Sequence, residues 1–145
     1  QFVREKNNLI LDKVFTINTG FATSNIIINK NIFKKVGGYD DKAIPAEDRV
    51  LLIELILNKI KICSTDAKIY YRLGKKHHTL STNYAETLKG HSYILEKYRK
   101  IISSKNKLFI KYKIYRAHYE VKKNFVGVIY LLIGLVNLFI FNLIK

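Results

Sequence analysis

Two adjacent carboxylates, Glu47 and Asp48, stand at the head of an almost wholly apolar run, Val50 to Ile60. At a helix start, such side chains sit among backbone N–H groups that lack intrahelical partners and at the positive end of the helix dipole. That setting keeps at least one of them ionised, as a general base requires. Taken alone, the pair reads more readily as dipole partners with Arg49 beside them. Ahead of the pair, Val36-Gly37-Gly38-Tyr39-Asp40 spells a sharp turn, because glycine enters left-handed backbone cheaply. After it, Tyr70-Tyr71-Arg72 leads into a polar loop holding His77, His78, Thr79 and Ser81. Arg72 offers a planar fork that suits a phosphate. An ion pair with Asp66 or Asp48 is its alternative.

The elements that must position these groups follow from pattern. Residues 1–16 are mixed and show no clear periodicity. Residues 21–29 predict a strand, with Ile26, Ile27 and Ile28 continuous as in a strand buried on both faces. Asn29 to Val36 predicts a short helix stopped by Gly37-Gly38. Residues 39–46 predict a loop holding Pro45, the only proline. A helix over 47–59 has apolar residues nearly all round. Short strands are predicted over 60–64 and 67–72. The pattern then turns helical from Asn83 to about Ile102, breaks at Ser103-Ser104, and resumes over about 107–123.

This order of motifs carries a resemblance. Phe21-Ala22-Thr23-Ser24-Asn25, then Phe33-Lys34-Lys35-Val36-Gly37-Gly38-Tyr39-Asp40, Glu47-Asp48, and a later Tyr71-Arg72 with His resemble the acceptor-side half of inverting, family-2-type glycosyltransferases with the GT-A fold. The likeness covers roughly residues 17–82. It implies an α/β fold, with residues 1–82 as the acceptor-side part of a GT-A domain and residues 83–145 as a basic helical extension. It implies transfer of a sugar from a nucleotide-sugar to a glycan or lipid-linked acceptor with inversion, in cell-surface polysaccharide synthesis. Asp48 would be the base on the acceptor hydroxyl, and Glu47 would orient the acceptor or the helix start. Gly20, Thr23, Ser24 and Asn25 would line the donor–acceptor boundary, with Gly38 and Arg72 completing the substrate-binding set. His78, or His77, would support a divalent metal (Mg or Mn) or the donor diphosphate; a solvated loop is the alternative for both. The family's Asp-x-Asp motif is missing, as are Met and a recognisable signal peptide. The expectation is therefore a fragment, inactive alone and binding no metal by itself.

Composition limits the rest. Hydrophobic residues make up 48% and aromatic ones 12%, which suits a packed core and argues against disorder. The single cysteine, Cys63, lies in an apolar run and is expected to be a buried structural residue. Net charge is +15, and residues 86–123 hold 11 Lys/Arg against 3 Glu. Such a field favours anionic membrane or polyanion. Interleaved Tyr93, Tyr98, Tyr112, Tyr115 and Tyr119 suit a membrane–water interface, or stacked bases. A solvated helix face is the plain alternative, and nucleic acid is the partner least favoured. His91 and His118 read as surface or interface residues.

The final 20 residues, Phe125 to Ile144, have no charge and 16 apolar members. They are long enough to span a bilayer. Gly127, Tyr130, Gly134 and Asn137 nevertheless fall within an arc of about 80° at ~100° per residue. That stripe suits close helix packing or an interfacial helix as well as spanning. The expected location is the inner face of a cell membrane, peripheral or anchored. The rival functions are a basic helical module for nucleic acid or anionic polymer, and a membrane-anchoring or assembly segment.

Overall fold

The structure, a computed structural model, describes residues 4–5, 11–16, 23–64 and 83–144. These are predominantly helical. The only strand pairing among the described residues joins β1 (Arg4–Glu5) antiparallel to β2 (Cys63–Ser64), with Arg4 opposite Ser64 and Glu5 opposite Cys63. Two residues a side is no sheet on which helices could be layered. The expected α/β, Rossmann-like GT-A class is therefore corrected to a helical one.

The expected strand over 21–29 fails for a local reason. Thr23–Asn25 coils into a 3-10 turn, as short polar side chains that compete for backbone hydrogen bonds often do. Ile26–Ile28 joins no strand among the described residues, and Ile27 is fully exposed between two half-buried neighbours. The isoleucines alternate rather than being buried on both faces. Likewise Ile60 and Ile62 pack inward around an exposed Lys61, and only Cys63–Ser64 gains a ladder partner. Cys63 is exposed, not buried as expected. The strand expected over 67–72 lies outside the described residues.

The chain forms two compact units, residues 1–39 with 48–77 and residues 40–47 with 78–145. In the first, α1 (Leu11–Val14) is a single turn followed by buried Phe15. Helix α2 (Lys30–Lys35) starts at Asn29, whose Oδ1 accepts from the Asn31 and Ile32 amides at 2.9 and 3.4 Å. It stops where expected, at Gly37 and Gly38, with φ of 90° and 68°. The Gly38 amide donates to Phe33 O at 2.9 Å, closing the last turn. Helix α3 (Glu47–Leu57) presents Leu51 and Leu55 to Val36. Ile26, Ile28, Ile32, Phe33, Tyr39, Ile60 and Ile62 surround that cluster.

In the second unit, a 3-10 turn (Asp41–Ala43) precedes three long helices: α4 (Tyr84–Lys97), α5 (Ser104–Lys122) and α6 (Phe125–Leu143). Asn83, Ser103 and Asn124 cap them, accepting from the amides of Glu86, Asn106 and Gly127. Each cap satisfies an amide that the helix itself leaves free. The break expected at Ser103-Ser104 is the N-cap of α5. Ile94, Tyr98, Ile102, Ile110 and Ala117 are the buried apolar residues of α4, α5 and their connection.

Helix α4 rides directly on the 3-10 turn at Gly90. A Cβ there would collide with the carbonyl oxygen of Ile44 and stand 2.7 Å from that of Ala43. At Gly127 the nearest atom to such a Cβ is 3.4 Å away, an ordinary contact. Gly90→Ala is therefore expected to lower stability by ~1–3 kcal/mol, as overpacking against backbone does. Gly127→Ala is expected to be neutral or to gain up to ~1 kcal/mol of helix propensity. Urea midpoints at unchanged slope measure both. A Gly90→Ala protein as stable as wild type would refute this close approach.

Candidate functional site

The Gly37-Gly38 turn reverses the chain after α2. A Cβ on Gly38 would meet the Phe33 ring at 3.1 Å, so the ring fixes how tightly the turn closes. Tyr39 meets the same ring edge-on, with centroids 5.3 Å apart. Both residues belong to the first unit.

In the second unit, Asp40 is a hub. Its Oδ1 accepts from the Lys42 amide at 3.2 Å, capping the 3-10 turn. Its Oδ2 accepts from the Tyr93 hydroxyl at 2.6 Å and from Lys97 Nζ at 3.0 Å, both on α4. Burial pushes the Asp40 carboxyl upward. The bonds from Tyr93, Lys97 and the Lys42 amide, with the Lys97 charge, outweigh it and hold the group below its ordinary value. The Tyr93 phenol is raised, first by its bond to Asp40 and then by burial. Nothing in the spacing announces a pairing of residues 53 and 57 positions apart. The only signal was Asp40's place after the double glycine.

Helix α3 opens with Glu47 and Asp48, as the carboxylate reading requires. Asp48 Oδ1 accepts from the Arg49 amide at 2.6 Å. Arg49 Nη1 donates to Phe15 O at 3.2 Å, which ties α3 to the turn after α1. Burial lowers the Arg49 value, and the Asp48 charge partly restores it. Glu47 Oε2 is the one buried side-chain oxygen among the described residues without a hydrogen-bond partner. The residue as a whole is half-buried.

The other expected site residues divide plainly. Thr23, Ser24 and Asn25 form the exposed 3-10 turn that leads into Ile26–Ile28. Gly38 is in the turn just described. Gly20, Arg72, His77 and His78 lie outside the described residues. Among the described residues, no group of three or more His, Cys, Asp or Glu side chains could hold a metal ion. The Mg or Mn implied by the resemblance thus has no cradle there, and no chemical step is drawn through it. His118 lies inside the α5–α6 contact, stacked 4.6 Å from Tyr130.

No family model, curated protein or solved structure matches the chain. The site is therefore read from its own chemistry.

Because Asp40 is held low and Tyr93 high, their bond is intact between the two ordinary values. Its contribution is lost as pH falls through the lowered Asp40 value, and again as pH rises through the raised Tyr93 value. Tyr93→Phe is expected to cost about 1.5–3 kcal/mol, the range for a bond to a charged acceptor. The loss should be constant across neutral pH and shrink towards both extremes. A chemical-denaturation series across pH checks this; a loss that stays the same at both extremes would contradict it.

Proposed function

We propose that Glu47 and Asp48 are acceptor-side carboxylates of an enzyme that moves a sugar from a nucleotide-sugar to a glycan or lipid-linked acceptor with inversion. The observation that carries this reading is the carboxylate pair at the start of α3, with Asp48 Oδ1 held by the Arg49 amide at 2.6 Å. The motif order supports the same reading: an Asn25 turn, a Gly37-Gly38 turn with positive φ, then a carboxylate pair at a helix start. The reading rests on these local elements and not on a parallel sheet.

In this chemistry the acceptor hydroxyl is a weak acid. A carboxylate takes its proton as oxygen bonds to the anomeric carbon, and the nucleoside diphosphate departs from the opposite face. Sugar-ring charge resembling an oxocarbenium ion builds up in between. Asp48 takes the base role. Its Oδ1 is oriented by the Arg49 amide, and Arg49 is itself pinned to Phe15 O. Glu47, beside Asp48, orients the acceptor or the helix start.

The experiment is sugar transfer by the complete gene product. Asp48→Asn is expected to lower kcat by at least ~100-fold, the scale of general base catalysis, with donor KM little changed. Glu47→Gln should raise acceptor KM with stability little changed. A dipole-partner role gives the opposite pattern: reduced stability with unchanged turnover. Asp48→Asn turnover within threefold of wild type would remove the base assignment.

A further inference from the structure

Helix α6 is long and apolar enough to cross a membrane, and little of it is buried. Its 19 residues extend about 28 Å, close to the ~30 Å of a hydrocarbon core. Its orientation is decided by α5. Gly127 lies against Tyr119, and Gly134 lies against Tyr115 and Tyr112. The Tyr130 ring stacks on His118 at 4.6 Å and on Tyr115 at 6.0 Å. Phe141 meets Phe109 at 5.2 Å, and Lys105 Nζ sits 5.2 Å from the Phe141 ring. The connection is only Lys123, in left-handed backbone, and the cap Asn124. The two helices thus run antiparallel, side by side, from the turn to their far ends.

Residues 104–123 carry seven Lys or Arg against Glu120. Lys111, Arg116, Lys122 and Lys123 are exposed. A spanning α6 would take this cationic partner into hydrocarbon with it, where no water solvates the charges. The outward face of α6 is purely apolar. Phe125 is 80% exposed, Phe139 64%, Leu143 63%, and Leu132 and Val136 57% each. These five share an arc of about 60° at ~100° per residue, roughly opposite Gly127 and Gly134.

We propose that the α5–α6 hairpin lies flat in the surface of an anionic bilayer. The outer face of α6 enters the boundary between headgroups and acyl chains, and the cations of α5 pair with lipid phosphates. The apolar face and the neighbouring positive charge match the two parts of one lipid leaflet, and this selects lipid over a second copy of the same cationic chain. The inference uses none of the residues assigned to sugar transfer, so either can fail without the other.

The chain has no Trp, so Phe125→Trp, Leu132→Trp and Phe139→Trp each supply a single tryptophan, excited apart from the tyrosines, at an exposed site. Each full-length variant is mixed with vesicles of phosphatidylcholine, with or without phosphatidylglycerol, containing lipids brominated at shallow or deep acyl positions. All three are expected to be quenched to a similar extent, most strongly by shallow bromine, and only with phosphatidylglycerol present. Unmodified chain should co-sediment with the same anionic vesicles, weakened but not released by high salt. Deep quenching of Leu132→Trp with shallow quenching at Phe125→Trp and Phe139→Trp would show a span and overturn the proposal. Absence of quenching and co-sedimentation would overturn it too, and concentration-dependent self-association by ultracentrifugation would then identify a second copy as the occupant.

Discussion

A Cβ on Gly134 would stand 3.1 Å from the Cβ of Tyr115, tighter than side chains normally tolerate. Helices α5 and α6 approach each other this closely because one of them has no side chain at that point. The rest of the hairpin follows from that approach. It brings Tyr130 onto His118 and Tyr115, and Phe141 onto Phe109, in a seam of rings. It turns the five most exposed apolar residues of α6 the other way. Burial and the neighbouring Lys122 charge hold His118 below its ordinary value, which favours the neutral ring in the seam. The energetic consequence is large. On insertion scales a Lys or Arg at the bilayer centre costs ~2.5–3.5 kcal/mol, while a Leu, Ile, Phe or Val contributes ~0.3–0.6. Two or three cations of α5 would offset the whole apolar gain of α6, and the hairpin carries seven. Length and composition alone cannot see this, because the limiting charges are on the neighbouring helix.

The second constraint is the docking of residues 40–47 on α4. Asp40 holds this segment through three donors, and Gly90 lets the helix settle on the carbonyls of Ala43 and Ile44. The segment ends at Glu47, the first residue of α3. The chain entering the carboxylate pair is therefore held by contacts made some fifty residues later. A bond of this type between a shielded carboxylate, a phenol and an ammonium is stronger than a surface ion pair, since its members are partly removed from water.

Local rules made much of this legible. The Gly37-Gly38 stop, the start of α3 at Glu47, the cap at Ser103 and the glycine stripe of α6 each depend on residues within a turn or two of one another. Fold class was not legible in the same way. Ile26–Ile28 has the composition of a buried strand, but a strand exists only where another chain segment completes its ladder, and periodicity says nothing of that partner. Cys63 misled for a related reason. An apolar run suggests burial, yet Ile60 and Ile62 turn inward while the residues between and after them turn out. The Asp40–Tyr93–Lys97 cluster was invisible because it is purely tertiary.

The carboxylate site sits between these cases. The first unit holds a capped short helix and a two-glycine reversal, and α3 is headed by two acids. Each of these elements is specified by its own residues. A spacing pattern of this kind is a statement about turns and helix starts, and it transfers only that much physics. It fixes φ at Gly37 and Gly38 and places Glu47 and Asp48 in a field of free amides. It does not specify a sheet. The same independence makes the chemistry separable from the fold class. What a general base needs is an ionised oxygen, a fixed orientation and freedom from competing donors. The Arg49 amide and the Arg49–Phe15 tie supply the orientation of Asp48.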